Sequence, residues 1–389
     1  MDRHQIERYL KHTLAKHQDF FYGNKPNLLF FTEHCANMTY EPCHDFPIAG
    51  QPAVLDKAFI EKYARELGVQ AIKRAQGAAA HHAVVGDDWY PFVALSGWGF
   101  GVTANLVSGR EDVIFQEGTS YSTSPVIKDW DDLGTLHLDL DNYWITQIRK
   151  YWKGVESAYD LEGIAVLPFT SRSPLDFACD LRGTALFMDL YDYPGEVATL
   201  VDYCTASLIS IDRHLREEIP LLRSAPGGGW GVAFGREMIL VNADPVDLIS
   251  GTMGEHFDSP SIQKLVDYTG AVFYHHHSIG YKHARHISQI KGLGLQEILQ
   301  DPTGPDLTAV IDDQLITASH NSPIYFDVKL LAKQNYDEII ARLSRGRFIV
   351  SLTDGDGRFS TPDYKWKQST TEQQNILATL RMRYQRNHD

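Results

Sequence analysis

The sequence predicts a TIM-type (β/α)8 barrel with N-terminal helices and long loops over the C-terminal face. Short apolar runs alternate with longer amphipathic segments, which is typical of a parallel sheet covered by helices. No G-x-G-x-x-G fingerprint follows the first apolar run, so a barrel is favoured over an open doubly wound sheet. No linker or repeat divides the 389 residues, and residues 1–389 therefore form a single predicted domain.

The apolar runs have the length and composition of buried strands, and the longer runs carry their apolar residues on one helical face. Pro194 suits the first turn of a helix, because proline needs no backbone partner there. The predicted strands are Leu28–Phe31, Gly163–Leu167, Met238–Val241, Ala271–Tyr274 and Phe348–Leu352, and the predicted helices are Lys57–Leu67, Pro194–Glu218 and Tyr336–Leu343.

The segment from Ala83 to Leu140 is rich in glycine and aromatic residues and shows little periodicity. It predicts loops over the mouth of the barrel, where barrel enzymes build their sites. Trp98, between Gly97 and Gly99, is therefore a candidate substrate-binding residue. The alternative is that these aromatic side chains only cover the core.

Composition excludes several classes of protein. The net charge is −14, from 50 acidic and 36 basic residues, and no long basic run is present to bind nucleic acid. The four cysteines lack metal-finger or redox spacing, and the first residues lack an apolar signal core, so a cytoplasmic protein is expected. No apolar run approaches the roughly 20 residues of a membrane-spanning helix. The motifs of serine hydrolases, P-loop proteins and zinc proteases are also absent.

The predicted strand Ala271–Tyr274 runs directly into three histidines. Successive side chains of a strand point to opposite faces, so His275 and His277 share one face and His276 occupies the other. Two imidazoles on one face can bind a metal such as zinc, which takes nitrogen at about 2.0–2.1 Å. The alternatives are hydrogen bonding without metal, or general acid and base chemistry.

A third ligand must come from elsewhere in the chain. Asp244 follows the Met238–Val241 strand and is a candidate base or orienting residue, although it could instead cap a helix. The sequence does not show which of the polar residues that follow predicted strands supplies this third ligand. The candidates are Glu33, His34, Cys35, Asp244, His320 and Asp354.

Three further residues are candidates for substrate binding. Arg172 lies just beyond the Gly163–Leu167 strand, where it could meet an anionic group or simply pair with nearby aspartates. Asn242 lies at the end of another strand. Trp230 follows three glycines that could form a lid hinge or only a permissive loop. Farther along, His283 and His286 are expected at the surface or in support of the site.

Several short motifs share their order and spacing with a known superfamily. The resemblance extends over most of the chain, and its parts are Val85–Pro91, Gly99–Gly101, Pro168–Gly183, Leu186–Asp192, Val241–Asp244 and the histidine strand. In this order the chain resembles the uroporphyrinogen decarboxylase superfamily, and it is nearer the methyltransferase-like branch that includes zinc- and corrinoid-linked enzymes.

The resemblance implies a TIM barrel with its pocket at the C-terminal face, and it is compatible with a homodimer. It implies a metal-dependent methyltransferase that acts on a small methylated compound, with a divalent metal, zinc, held by His275 and His277. The sequence contains no recognised cobalamin-binding module, so a corrinoid would be carried by a partner protein. Aromatic residues such as Tyr274 could contact a methylammonium group, a contact typically worth about 0.5–2 kcal/mol.

The chain departs from the family pattern at the histidine strand. The family has H-x-C-G, whereas His277 and Ser278 stand here, and no cysteine follows Cys204 to complete a thiolate site. Neutral nitrogen ligands leave more positive charge on a metal, which favours Lewis-acid chemistry over thiol activation. Asp354 or His320 could replace the missing cysteine.

Two alternative functions follow from these departures. The first is decarboxylation of uroporphyrinogen or a related carboxylate, but the arginine-rich motif of the true decarboxylases is missing, since Phe30–Met38 contains no arginine. The second is a barrel that binds a small ligand without catalysis, which the loss of the family cysteine would explain.

Overall fold

The computed structural model describes residues 2–23, 28–31, 56–95, 98–116, 119–122, 124–301, 303–328, 336–352 and 370–386. The strands are β1 (Leu28–Phe31), β2 (Phe92–Ala94), β3 (Val113–Gln116), β4 (Thr119–Ser122), β5 (Ala165–Leu167), β6 (Thr170–Arg172), β7 (Gly228–Gly229), β8 (Val232–Ala233), β9 (Ile239–Asn242), β10 (Val272–His277), β11 (Leu295–Leu299), β12 (Ile324–Val328) and β13 (Phe348–Leu352).

Helices separate most of these strands. The α-helices are α1 (Arg3–Tyr22), α2 (Lys57–Val85), α3 (Phe100–Ser108), α4 (Tyr143–Ala158), α5 (Pro174–Arg182), α6 (Leu186–Asp192), α7 (Pro194–Glu218), α8 (Leu221–Ser224), α9 (Gly251–Met253), α10 (Ser259–Thr269), α11 (Ala284–Ile287), α12 (Asp313–Asn321), α13 (Tyr336–Leu343) and α14 (Thr370–Arg386). Short 3₁₀ turns span Trp130–Thr135, Gly183–Ala185, Asp244–Leu248 and Ser278–His283, and a π-turn spans Gly254–Asp258. None of the described helices is both long and apolar enough to cross a membrane.

The central sheet has seven parallel strands in the order β1-β13-β12-β11-β10-β9-β6. Its carboxyl ends therefore lie along one edge, with the residues after β6, β9, β10 and β11 side by side. A separate parallel pair joins β2 to β5, and only two residues separate β5 from β6. The α/β class and the parallel sheet are confirmed, and the ladders formed by the described residues do not join into a ring.

The ends of most predicted elements are close to the observed ones, and three predictions were wrong in extent, one of them the strand Ala271–Tyr274, which continues to His277. The helix at Lys57 continues to Val85, because the alanine-rich run after Leu67 favours helix, and it ends at Gly86 in a left-handed conformation with φ of 75°. The expected loop region from Ala83 to Leu140 is partly regular, since it contains α3 and the β3–β4 hairpin. Helices and strands this short are stabilised mainly by packing against the rest of the protein, so the sequence need not show a clear apolar period there.

Two helices on the N-terminal half of the chain pack unusually closely. A side chain at Gly68 of α2 would collide with the backbone oxygen of Tyr151, and one at Gly154 of α4 would collide with that of Arg65. The two glycines therefore let the helix backbones touch directly. The helix α4 is also joined to β2, since the Tyr151 hydroxyl donates a hydrogen bond of 3.3 Å to the Ala94 carbonyl oxygen.

A buried histidine connects α1 to the loop before β2 and to β8. His17 is fully buried, its Nδ1 accepts a hydrogen bond from the Ala233 amide at 3.1 Å, and its Nε2 lies 2.6 Å from the Asp88 carbonyl oxygen. Nδ1 is an acceptor, so the proton is on Nε2 and the ring is neutral. Burial lowers the pKa of His17 to about 4, although the carbonyl of Asp88 acts in the opposite direction.

The free energy of unfolding should therefore fall as the pH drops from the pKa of His17 in the unfolded chain, 6.5, to its pKa in the folded protein, about 4. The unfolded chain binds a proton near pH 6.5, whereas folded His17 resists it until about pH 4, so its contribution is complete above pH 6.5 and is lost below. We expect His17 to change the free energy of unfolding by roughly 3 kcal/mol across that pH range. Urea unfolding at several pH values measures it, and His17→Gln, which keeps a donor and an acceptor, should flatten the slope. Equal slopes for both proteins would contradict the assignment.

Candidate functional site

The histidine run forms the carboxyl end of β10. The strand extends through His277 rather than ending at Tyr274, because β9 continues to pair with it as far as His275 and β11 as far as His277. His275 and His277 lie on the same face, as alternation requires. Their Nε2 atoms are 3.3 Å apart, and their ring centroids are 5.0 Å apart.

Asp244 lies beside this pair, two residues after the end of β9. Its Oδ1 is 3.3 Å from Nε2 of His277, and one ligand atom from each of Asp244, His275 and His277 lies within 4.8 Å of the others. Asp244 begins a 3₁₀ turn whose N-cap residue is Ala243, and it makes no capping hydrogen bond there. Its carboxylate is therefore available to the histidines.

Two carboxylates behind the histidines set the direction of both rings. Nδ1 of His275 lies 2.7 Å from Oε2 of Glu297, its register partner on β11, and Nδ1 of His277 lies 2.8 Å from Oδ1 of Asp301. Metal-binding histidines usually contact a carboxylate through the ring nitrogen that does not bind the metal. The sequence prediction missed both acids, although Glu297, a charged residue between the apolar ends of β11, was a usable clue.

The charges of this cluster are strongly coupled. Burial disfavours the imidazolium of His277, yet the hydrogen bond and charge of Asp244, with the charge of Asp301, raise the pKa of His277 to about 9. Burial likewise disfavours an ionised Asp244, but the hydrogen bond of His277 and the charge of His275 lower its pKa to about 2. A metal that bound here would displace the proton of His277, so its affinity would rise with pH.

Trp230 covers the cluster from the glycine-rich segment. Its ring centroid is 5.0 Å from that of His275, at 90°, and 5.5 Å from that of Phe273. Trp230 has φ of 48° in the turn between β7 and β8, a conformation that non-glycine residues rarely adopt. A strained backbone conformation persists where the surrounding structure requires it. At Trp230 this conformation places the indole ring against His275.

Arg172 holds Asp244 from the other side. Its Nη1 is 3.2 Å from Oδ2 of Asp244 and 2.9 Å from Asp176, and its Nε is 3.2 Å from Asp180. Burial lowers the pKa of Arg172, and the three carboxylates raise it further than burial lowers it. The guanidinium also lies 4.3 Å above the ring of Phe100. Its charge is thus compensated within the protein.

Of the remaining predicted site residues, Asn242 lies beside the cluster, whereas Tyr274 and Trp98 make their contacts elsewhere. Asn242 is paired with His275 across β9 and β10, and its side-chain oxygen has no hydrogen-bond partner among the described residues. Tyr274 points to the opposite face, where it is fully buried and donates a hydrogen bond of 2.6 Å to Asp258. Trp98 is buried against Trp144, with ring centroids 6.4 Å apart.

The other candidates for a third ligand do not add to this cluster. Glu33, His34, Cys35 and Asp354 lie outside the residues that the structure describes. His320 is exposed in the last turn of α12, which leads into the start of β12, and so it lies toward the opposite edge of the sheet.

The fold is shared with a solved methyltransferase. A methyltransferase from Methanosarcina mazei is 10% identical to this chain, with a TM-score of 0.59 over 96% of this chain and 99% of that chain. At this identity the similarity shows a common fold. No family model matches the sequence, and no curated protein is similar to it.

Proposed function

We propose that the protein is a metal-dependent methyltransferase that belongs to the methyltransferase-like branch of the uroporphyrinogen decarboxylase superfamily. The observation that carries the proposal is the cluster of Asp244, His275 and His277 at the carboxyl edge of a parallel sheet. This edge is where α/β enzymes place their sites. The fold shared with a methyltransferase supports the reaction class.

The side chains of this cluster suit a catalytic zinc ion. Two imidazole nitrogens and one carboxylate oxygen are a common three-residue ligand set, which leaves a position for substrate. Glu297 and Asp301 already direct both imidazoles, so little reorganisation is required. When bound, zinc would supply Lewis-acid polarisation of a substrate atom. No thiolate is available among the three, which distinguishes this ligand set from that of the family it resembles.

The protein's own groups would prepare the substrate. Arg172 and His277 keep Asp244 ionised and in place. Trp230 covers the His275 side and would exclude water or contact a methylated cation through its ring. Asn242 offers an unpaired amide oxygen from the strand that pairs with His275. These features favour a small methylated substrate.

We also propose that the strands close into a barrel. The strand β5 follows β2 in the second sheet and leads directly to β6 at the end of the first. At the other end, the Asp88 amide donates to the Phe30 carbonyl of β1 at 3.1 Å, shortly before β2. These two junctions would bring β2 between β1 and β5.

A methyl carrier would come from outside the chain. We propose a corrinoid protein in this role, with a cytoplasmic location and a homodimer as further expectations from the resemblance. Decarboxylation of a polycarboxylate is less favoured, because Arg172 already contacts three carboxylates of the protein and the histidines are themselves surrounded by acidic side chains.

The test combines metal analysis with a methyl-transfer assay. Zinc-loaded protein is mixed with a corrinoid protein and a panel of small methylated amines, thiols and alcohols, and methylation of the corrinoid is followed by its visible absorption. We expect turnover with one donor class and zinc content that depends on His275. Zinc-loaded protein without turnover on every donor would refute the methyltransferase assignment.

The orienting carboxylate of His275 gives a finer prediction. Glu297→Gln keeps the size of the side chain but weakens its hydrogen bond to Nδ1, so zinc affinity should fall by about 10–100-fold. Competition with a chelating dye measures the affinity. The control is Gln289→Glu, because Gln289 is exposed. Gln296→Glu does not serve as a control, because Gln296 is buried. Unchanged affinity in Glu297→Gln would show that Glu297 does not orient a ligand.

A further inference from the structure

The turn that follows the histidine strand begins with a buried serine. Ser278 is the first residue of the 3₁₀ turn Ser278–His283, and its surface is fully buried. His283 at the other end of the turn and His286 in α11 are buried as well, so the expectation that they lie at the surface was wrong. A buried hydroxyl needs hydrogen-bond partners, and those of Ser278 lie just after β11.

The two carboxylates that orient the histidines are held in different ways. Glu297 lies inside β11, where the pairing with β10 and β12 fixes its backbone. Asp301 lies two residues beyond Leu299, the last residue of β11, and is outside the registered pairs of the sheet. Its side chain is 17% exposed, against 2% for Glu297. Asp301 therefore needs other contacts to stay 2.8 Å from Nδ1 of His277.

The Ser278 hydroxyl supplies one of these contacts. Its Oγ accepts a hydrogen bond of 3.0 Å from the backbone amide of Asp301. The side chain of Gln300 also donates to this oxygen, at 3.4 Å. A side chain at Gly304 would collide with the same hydroxyl, so the segment after β11 packs directly against Ser278. One buried oxygen thus connects the backbone of Asp301 to the end of β10.

Gln300 holds the segment after β11 from within. Its Nε2 donates to the carbonyl oxygens of Asp301 and Pro305, both at 2.9 Å. Its Oε1 accepts a hydrogen bond of 2.8 Å from the backbone amide of Leu307. One side chain therefore joins Asp301 to residues farther along the chain, where no strand pairing does so.

The backbone of His277 is fixed independently of Asp301. Oδ2 of Asp247 accepts a hydrogen bond of 2.8 Å from the His277 amide. With the backbone held, the direction of the imidazole depends on rotation about its side-chain bonds, which the contact between Nδ1 and Asp301 restricts. A carboxylate oxygen accepts, so Nδ1 carries the hydrogen and Nε2 is left to bind a metal.

We propose that Ser278 is a positioning residue for His277, which acts through Asp301 with the help of Gln300. By fixing the backbone of Asp301, Ser278 keeps the carboxylate on Nδ1 of His277 and so directs Nε2 toward the other two ligands of the proposed metal site. The expected effect on metal affinity rests on the proposed function, whereas the contacts themselves involve only groups of the protein.

A double-mutant cycle tests whether Ser278 acts through Asp301. Ser278→Ala should weaken zinc binding by about 10-fold, the lower end of the loss that follows when the partner of a metal-binding histidine is changed. Asp301→Asn should weaken it at least as much. The double variant should bind zinc no more weakly than Asp301→Asn alone, because both changes disrupt the same contact. Competition with a chelating dye measures each affinity.

The matched control is Ser288→Ala. Ser288 is another buried serine, and its hydroxyl donates to the Arg285 carbonyl oxygen rather than to the segment after β11. This change removes a buried hydroxyl of the same kind and should leave the zinc affinity unchanged.

Cobalt substitution gives a readout that a general loss of stability would not change. The visible absorption of bound Co²⁺ depends on the geometry of its ligands. Ser278→Ala and Asp301→Asn should therefore shift this spectrum in the same way, and Ser288→Ala should not shift it.

Two affinity results would overturn the proposal. One is a zinc affinity of Ser278→Ala equal to that of the wild type, and the other is a double variant in which the two losses add, since Ser278 would then act without Asp301. A wild-type protein that holds no metal at this cluster would instead contradict the proposed function. The crystal structure of metal-free Ser278→Ala then decides the positioning role: it stands if Asp301 has left Nδ1 of His277, and it is wrong if that contact is kept.

Discussion

Replacement of both His275 and His277 with alanine is expected to abolish zinc binding at the proposed catalytic cluster and to reduce methyl transfer to background. The two residues supply two of the three ligand atoms that lie within 4.8 Å of one another. Asp244 alone offers one oxygen, which does not hold zinc at micromolar concentration against solvent. Zinc titration and the corrinoid assay measure the two losses separately.

The control for this prediction is His277→Cys. This change restores the ligand type of the family that the chain resembles, and a thiolate binds zinc at about 2.3 Å. We expect His277→Cys to retain zinc, whereas His277→Ala weakens its binding strongly. Equal zinc affinity at this cluster for the wild type and the double alanine variant would rule out the metal site.

Replacement of Arg216 with methionine is expected to destabilise the protein by about 3–5 kcal/mol, because it leaves a buried carboxylate unpaired. Arg216 and Asp212 are each only 3% exposed and form an ion pair of 2.7 Å within α7. The same guanidinium donates to the carbonyl oxygens of Leu222 and Met238. It therefore fixes the helix against the residue that leads into β9 and toward Asp244.

Urea unfolding of Arg216→Met and of Asp212→Leu/Arg216→Met measures this effect. The double variant removes both charges and should recover part of the loss, since apolar residues of similar volume often replace a buried ion pair at little cost. A change below about 1 kcal/mol for Arg216→Met would mean that solvent reaches Asp212 in the folded protein.

The sequence was sufficient to predict those helices and strands whose apolar residues follow a clear period. The bounds of β1, β13, α7 and α13 follow directly from local apolar patterns, and these agree with the structure. Strand alternation likewise predicted that the side chains of His275 and His277 share a face. Both are properties of a chain segment and its immediate neighbours, so no distant contact is needed to establish them.

The partners of these side chains depended on tertiary structure. Register places Glu297 against His275, and the meeting of strand ends brings Asp244 and Asp301 to His277. The alternation of side chains along the strand determined which way the histidines point. The order of the strands determined which residues they contact, and that order arises from packing between residues far apart in the chain. The same packing buried His276 and His283, which the sequence did not predict, because a local pattern does not specify which elements will cover the other face of a strand.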